Sequence, residues 1–529
     1  MNSYFSLAFN LILLPCTIIV YCLAPRKARF AVLLAASYVF FWCLSGALIA
    51  FILISTAIVY ACGRQMASLL CRRDELLAEA SSGKKQIKKD CKRRMRYVLI
   101  VGAVLNFGML FTLKYLGFFS ASASSLLALL GFEIPEITAT IGVPIGISFY
   151  TLMAVSYLVD VYRETVEADS NIGHVALFLA FFPQIMEGPI CRYGQTAKAL
   201  YAGDPVKLGN MYRGILRILY GMAKKIVVAD RLNAFVDNVF TDYTSFDGGI
   251  IALAAVLYTI ELYCDFSGTM DIAVGIARIF NVNLPENFRQ PFFSRTSSEF
   301  WMRWHITLGT WFKDYVYYPI SLSKPCKALT SKARKRFGNR YGPLLVSSIA
   351  LFVVWFFNGL WHGAGSQYLL FGMYYFVMIF LGGLIEPLAS AIAEELHINR
   401  DGMPYRVFQN LRTLIVIFAG EMIFRATSAA DGLTMLGTAI SGFTIESFSQ
   451  GTVFMIGVDP YDFAIVVLVL LAMFVIGVIK ERGGDPCESI AQQNDVVKWG
   501  VLVFIALFII VFGAYGPNYT PVEPMYAQF

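Results

Sequence analysis

Glu299-Phe300-Trp301-Met302-Arg303-Trp304-His305 opens a stretch that closes with Asn358-Gly359-Leu360-Trp361-His362-Gly363-Ala364-Gly365. Between the two lies Trp311-Phe312-Lys313-Asp314-Tyr315. Two of the four histidines in the chain stand here, each directly after a tryptophan and beside apolar sequence. A side chain that can take up a proton near pH 7 is rare in apolar surroundings and marks a candidate site there. The rest of the chain reads as a scaffold that buries these two imidazoles and brings substrates to them.

The surroundings are those of a membrane. Of 529 residues, 57% are hydrophobic and only 15% charged. Apolar runs recur from end to end, which defines an all-α, multi-pass membrane protein. Alternating ten-residue strands are absent, so a barrel is not expected. The net charge of +7 does not indicate a nucleic-acid partner, because the basic residues crowd into Arg64–Arg96 and Lys324–Arg340, between apolar runs. That is the pattern of cytoplasmic loops. Such loops are solvated, or they meet anionic lipid headgroups or a carrier protein. The ten cysteines include no C-x-x-C pair, so neither a disulfide framework nor a metal site is expected.

Spans are expected at Phe5–Leu23, Ala31–Leu44, Ala47–Ala61, Tyr97–Phe119 and Ile141–Val161. Others are expected at Ile250–Cys264, Pro343–Leu360, Tyr368–Leu384, Phe408–Phe424, Leu433–Gly442, Phe463–Val478 and Trp499–Phe512. Of these twelve about eleven are expected to be full spans and the rest partial, with the N-terminus outside and the first segment retained as a span. Gly131–Thr138, with Glu133, Pro135 and Glu136, fits an outside loop. His174–Arg192 carries Pro183, Glu187, Gly188 and Pro189 in apolar sequence, so it is expected to be re-entrant or buried in protein. Leu208–Ala229 is expected to be amphipathic and interfacial. The span ending at Cys264 is expected to stop at Asp265-Phe266-Ser267-Gly268, with a separate short helix at Asp271–Phe280. The chain reads as one domain, 1–529.

Helical spacing places Trp301, Trp304, His305, Leu308, Phe312 and Tyr315 on one stripe, so His305 points with the aromatics. That position suits a site and equally an inert, hydrogen-bonded core histidine. His362 sits among glycines that allow close approach of a ligand or another backbone. It fits a general base or a helix-capping cluster with Asn358. Glu187, Asp265 and Asp314 would each cost about 3 kcal/mol facing lipid, so each needs a partner or a solvated cavity. Arg192, Arg278, Arg289, Arg295 and Arg303 are the candidate partners. Asp314 is also placed to orient an imidazole. No G-x-S-x-G elbow, P-loop or H-E-x-x-H occurs, which argues against a hydrolase, an ATPase or a metalloprotease.

Six motifs in order carry a resemblance. They are Phe182-Pro183-Gln184…Gly188-Pro189-Ile190…Arg192-Tyr193, Tyr263-x-Asp265-Phe266-Ser267-Gly268, Pro285-Glu286-Asn287-Phe288, Glu299-Phe300-Trp301-x-Arg303-Trp304-His305, Trp311-Phe312-x-Asp314-Tyr315 and Gly359-x-Trp361-His362-Gly363-Ala364. Together, over about residues 140–375, they are similar to the signatures of the membrane-bound O-acyltransferase family. The likeness is greatest to its bacterial polysaccharide branch, whose members O-acetylate alginate or D-alanylate teichoic acid.

The resemblance implies a ring of helices around a thin centre, with funnels from both faces meeting near the histidines. It implies that His362 is essential and His305 its partner, with Trp361, Asn358, Trp304, Arg303, Trp311, Asp314, Asp265 and Glu187 supporting them or lining the route. The expected chemistry moves an acyl group, acetyl in the first instance, from a cytoplasmic thioester such as acetyl-CoA or an acyl carrier, with no bound cofactor. His362 would be the general base, and His305 would orient the hydroxyl or donate to the oxyanion. An exported polysaccharide is the expected acceptor, reached through a second, esterase-like periplasmic or extracellular transferase. The setting is a bacterial inner membrane. D-alanyl transfer to teichoic acid and a non-catalytic transporter of acyl groups or glycan precursors are the other readings.

Overall fold

Among the described residues, eight helical stretches are long and apolar enough to cross a membrane: Arg26–Glu79, Lys84–Ala128, Gly248–Ile279, Lys324–His362, Ser366–Glu395, Met403–Arg425, Pro460–Glu481 and Asp495–Phe512. The computed structural model describes residues 3–515, apart from 133, 134, 136 and 138–141, together with residue 522. Glu133 and Glu136 of the expected outside loop therefore lie outside the described residues. Among the described residues every regular element is helical.

The difference from about eleven spans has a geometric origin. Arg26–Glu79 contains two of the expected spans, in Arg29–Ser45 and Ile49–Glu79. The first apolar run folds as Phe9–Leu13 and Leu14–Leu23, the expected Ile141–Val161 as the 17-residue helix Ile147–Arg163, and the run near residue 440 as the 13-residue helix Ala429–Ser441. At 1.5 Å per residue such short helices fall below the ~30 Å of a hydrocarbon core.

Tertiary contacts divide the chain into two compact units. One comprises the chain up to Ile215 with Ile272–Pro285. In it, the basic run expected as a loop is helical: Ile49–Glu79 and Lys84–Leu110 pack together and are joined at Gly83, whose φ is 78°. The 31-residue Ile49–Glu79 would be about 46 Å long, more than a bilayer core, so its charged end extends the helix and does not interrupt it. Glycine makes the next contact possible. A Cβ on Gly102 would lie 2.6 Å from Leu158 Cδ1.

The Pro-rich segment breaks as expected, into Ile172–Ala180 and Phe182–Ile185, and it is buried in protein. Side chains satisfy the freed backbone. Ser37 Oγ accepts from the Phe182 N–H at 3.0 Å, and Tyr4 donates to the Phe182 carbonyl at 2.7 Å. Glu187 is fully buried in this segment.

Just before it, Asp169 accepts from the Asn171 N–H and from Tyr193, and His174 Nδ1 lies 3.0 Å from it. Burial alone would raise the Asp169 carboxyl, but these hydrogen bonds outweigh it and hold the group below the usual range. Its contribution is therefore present above the unfolded value of about 3.9 and is lost as pH falls through the lower folded value. Asp169→Ala is expected to cost about 1–3 kcal/mol, read as a lower thermal midpoint at pH 7 whose gap to wild type closes in acid.

The second unit comprises Leu216–Asp271 and the chain from Glu286 onward. The expected stop at Asp265 does not occur: Gly248–Ile279 is one helix of 32 residues. Gly268 serves close packing there, since a Cβ would lie 2.7 Å from the Gly221 carbonyl oxygen. Lys324–His362 is likewise longer than the expected Pro343–Leu360, because the basic run is helical too and bends at Gly338, where φ is 76°.

Lys324–His362 packs against Ser366–Glu395 through a pair of glycines. Cβ atoms on Gly359 and Gly372 would each lie 2.4 Å from a carbonyl oxygen, of Tyr368 and Trp355 respectively. Gly372→Val should force these helices apart and destabilise the protein by about 1–3 kcal/mol, measured as thermal inactivation of detergent-solubilised protein.

Candidate functional site

His305 does not lie on a continuous helix. The chain is helical over Ser297–Arg303, extended at Trp304, and left-handed at His305 with φ 47° and ψ 50°. It resumes as Ile306–Phe312 and then as a π-helical turn, Lys313–Tyr317. The expected stripe through Trp301, Trp304, His305 and Tyr315 is therefore broken at its centre. A left-handed non-glycine residue costs about 1–3 kcal/mol and persists where the surroundings over-determine it.

Those surroundings are supplied by Asn287, 1% exposed, in the irregular segment after Glu286. Its backbone carbonyl accepts from the Ile306 N–H at 3.0 Å. Its side-chain Oδ1 accepts from the Thr307 N–H at 3.0 Å and the Thr307 hydroxyl at 2.9 Å, and lies 3.2 Å from His305 Nδ1. Its Nδ2 is 3.2 Å from Met270 Sδ. Asn287 stands in the Pro285-Glu286-Asn287-Phe288 motif, where nothing local marks it as the group that meets His305. Asp314, expected as an orienting group, lies in the π-helical turn, and the group on His305 Nδ1 is Asn287.

His362 ends the Lys324–His362 helix, and Asn358 lies one turn before it. His305, His362, Asn358 and Trp361 are all buried. The Trp361 indole is the common wall. Its ring centre lies 5.4 Å from that of His305 and 5.0 Å from that of His362, edge-on to both. The two imidazoles are close enough to interact electrostatically. Phe266 packs edge-on to His305 at 4.8 Å, and Phe424 to His362 at 5.1 Å. Among the described residues Asn358 Oδ1 has no hydrogen-bond partner. His305, Trp361 and His362 thus form one buried aromatic cluster, with the Asn358 amide one turn before His362, a composition that suits proton transfer.

The other expected site residues hold this pocket or stand apart. Trp304 is buried among Tyr263, Phe288, Phe292 and Phe300. Trp311 packs on Phe312 and Tyr315. Arg303 pairs with Glu299 at 2.8 Å and with Glu481, which ties the segment before His305 to the end of Pro460–Glu481. Asp265 pairs at 2.8 Å with Lys225, not with one of the expected arginines. Lys225 also meets Asp230 at 2.8 Å. Its neighbour Lys224 pairs with Asp271 at 2.6 Å. Arg217 bridges Asp271 at 2.9 Å and grips both oxygens of Glu286. The lysines sit in a π-helical stretch, Ala223–Ala229, which period-3.6 reasoning does not foresee. Lys224, Asp271 and Asn287 line a cavity of about 310 Å³ with aromatic walls that include Tyr220, Tyr263 and Phe292. Glu187 belongs to the first unit.

A polytopic helical membrane protein with two buried imidazoles on one indole is the class that fold and site define. The profile of the family described as "MBOAT, membrane-bound O-acyltransferase family" matches residues 91–334. A probable alginate O-acetylase of Azotobacter vinelandii is 31% identical over 421 residues, which is 79% of this chain and 74% of that protein. One from Pseudomonas aeruginosa is 33% identical over 62% of this chain and 57% of its own length. A peptidoglycan O-acetyltransferase of Helicobacter pylori is 32% identical over 53% of this chain and 54% of its own. The chain belongs to the membrane-bound O-acyltransferase family. It spans 57–64% of the length of the first three alginate O-acetylases it matches.

Proposed function

We propose that the protein is an O-acyltransferase. It moves an acyl group, acetyl in the first instance, from a cytoplasmic thioester to a hydroxyl, for O-acetylation of an exported or cell-surface polysaccharide. The observation that carries this reading is the pair of buried imidazoles that both pack on Trp361. Acyl transfer from a thioester sets two tasks: taking the hydroxyl's proton, and meeting the charge that develops on the carbonyl oxygen. The pair divides these tasks, and Asn358 offers its carbonyl to a substrate hydroxyl. Burial among aromatic side chains would keep water from competing for the thioester. The cavity beside Lys224 and Asn287 has the mixed lining, charged side chains together with aromatic ones, that a thioester-bearing arm would need.

The setting we propose is the bacterial inner membrane with the N-terminus outside, because Arg26, Lys27 and Arg29 follow the first apolar run. A second, esterase-like transferase on the far side would complete delivery to the glycan.

The test uses purified wild-type protein in lipid nanodiscs with radiolabelled acetyl-CoA, acetyl-carrier or D-alanyl-carrier and the isolated polysaccharide, run with and without an esterase-like periplasmic transferase. Label in the glycan from an acetyl donor supports the reading. Label only from the D-alanyl carrier assigns D-alanyl transfer. Movement of donor or glycan across proteoliposomes with no new ester bond would assign the transporter.

A further inference from the structure

We infer that Asn287 is a positioning residue that holds His305 in the Nδ1–H form, so that His305 enters the reaction as a hydrogen-bond acceptor through Nε2. The inference deepens the proposed acyl transfer and rests on it for its chemical meaning.

The argument turns on one amide. At ordinary precision the two ends of an asparagine side chain are interchangeable, and its hydrogen bonds decide which is which. The backbone N–H of Thr307 can only donate, and it points at one end of the Asn287 amide from 3.0 Å. That end is therefore the oxygen. The same oxygen lies 3.2 Å from His305 Nδ1. An amide oxygen can only accept, so Nδ1 carries the proton. In a neutral imidazole the lone pair then belongs to Nε2.

The opposite end of the amide is also accounted for, by the Met270 thioether at 3.2 Å, a weak acceptor that suits an NH₂. The Asn287 carbonyl takes the Ile306 N–H, and these bonds together hold His305 at its left-handed backbone. Asn287 thus sets the orientation and the tautomer of the same ring.

A neutral Nδ1–H imidazole has no hydrogen left to give to an oxyanion. It can take one. His305 Nε2 therefore accepts the hydrogen bond of the attacking hydroxyl. As the hydroxyl oxygen bonds to the thioester carbonyl carbon, its proton passes to Nε2. When the C–S bond breaks, the departing thiolate recovers that proton as a thiol. The sum is thioester plus alcohol giving ester plus thiol, with the imidazole regenerated. The carbonyl oxygen then falls to His362, which also packs on Trp361. His305 is faced by Phe266, Trp361 and Asn287, and His362 is a titratable group within electrostatic reach of it.

The first experiment reads the tautomer in the wild-type protein. With four histidines in the chain, ¹⁵N-histidine labelling in nanodiscs gives a resolvable spectrum, and the His305 signals are those lost in His305→Gln. A protonated Nδ1 and a bare Nε2 are expected, and a protonated Nε2 in the neutral ring would overturn the inference.

The second experiment reads kinetics. Asn287→Leu should lower transfer about 10- to 100-fold. Asn287→Asp keeps the acceptor oxygen and should recover most of the rate at high pH. Its added charge favours the imidazolium, so the acid limb of kcat/KM should move up by about 1–3 pH units. A merely structural asparagine would leave that limb in place, and an unmoved limb in folded Asn287→Asp protein counts against the inference. The two readings fail separately: absent transfer with the Nδ1–H form present removes the acyltransferase reading alone, and good transfer with the Nε2–H form removes this one alone.

Discussion

His362→Ala protein will fold, insert and reach wild-type levels, but its acyl transfer will fall by about 10²–10⁴-fold. The expectation rests on what His362 touches. Its ring sits against Trp361, Phe371 and Phe424, at the end of a helix whose packing is set by Gly359 and Gly372, not by the imidazole. Removing it leaves a cavity of side-chain size with aromatic walls, a modest structural cost beside the loss of one of two imidazoles. The measurement is ester formation on glycan in nanodiscs, normalised to protein that elutes as a single species. His305→Ala should lose activity to a similar extent, and the double variant should be little worse than either alone. Groups that act as a unit are non-additive. Wild-type transfer by His362→Ala protein would remove the catalytic assignment.

The second large effect is on stability. Asp271 joins Lys224 at 2.6 Å and Arg217 at 2.9 Å, and the side chain of Lys224 is 5% exposed. Asp271→Ala leaves Lys224 buried without its carboxylate and is expected to cost about 3–5 kcal/mol. Arg217 keeps Glu286 and is less affected. Replacing both partners of the buried pair is the control. Lys224→Met with Asp271→Leu removes the charge together with its counter-charge, and it should recover most of the loss because an apolar pair of similar volume needs no desolvation. Thermal unfolding in a single detergent reads both. If the single variant is as stable as wild type, the pair is solvated and the cavity beside it is wetter than its aromatic walls imply.

The resemblance was carried by residues that recur whatever their detailed geometry: the prolines around Glu187, the Asp265 motif, and the two Trp-His pairs. What the motifs do was less legible. Asp265-Phe266-Ser267-Gly268 reads as a break, yet it lies inside one 32-residue helix because its carboxylate meets Lys225 and its glycine meets the Gly221 backbone. The basic runs read as loops because charge density and loop are the same signal on a hydropathy scale. They are helical because Ala, Leu, Lys and Arg propagate a helix past the membrane as readily as within it. The stripe through His305 failed because a period of 3.6 assumes unbroken helix, and one residue at positive φ ends it.

By itself the sequence determined the class, the membrane setting, the family and the two histidines. These depend on composition and on side-chain chemistry, which a linear chain already displays. Only the tertiary structure decided that one indole serves both imidazoles, that the carboxylates pair with the adjacent lysines of a π-helical turn, and that Asn287 is the group on His305. The pairings that matter join distant residues: Asn287 and His305 are 18 positions apart, Lys224 and Asp271 are 47 apart. Their pairing is set by helix packing and by the demand that every buried donor find an acceptor, and no local pattern encodes either.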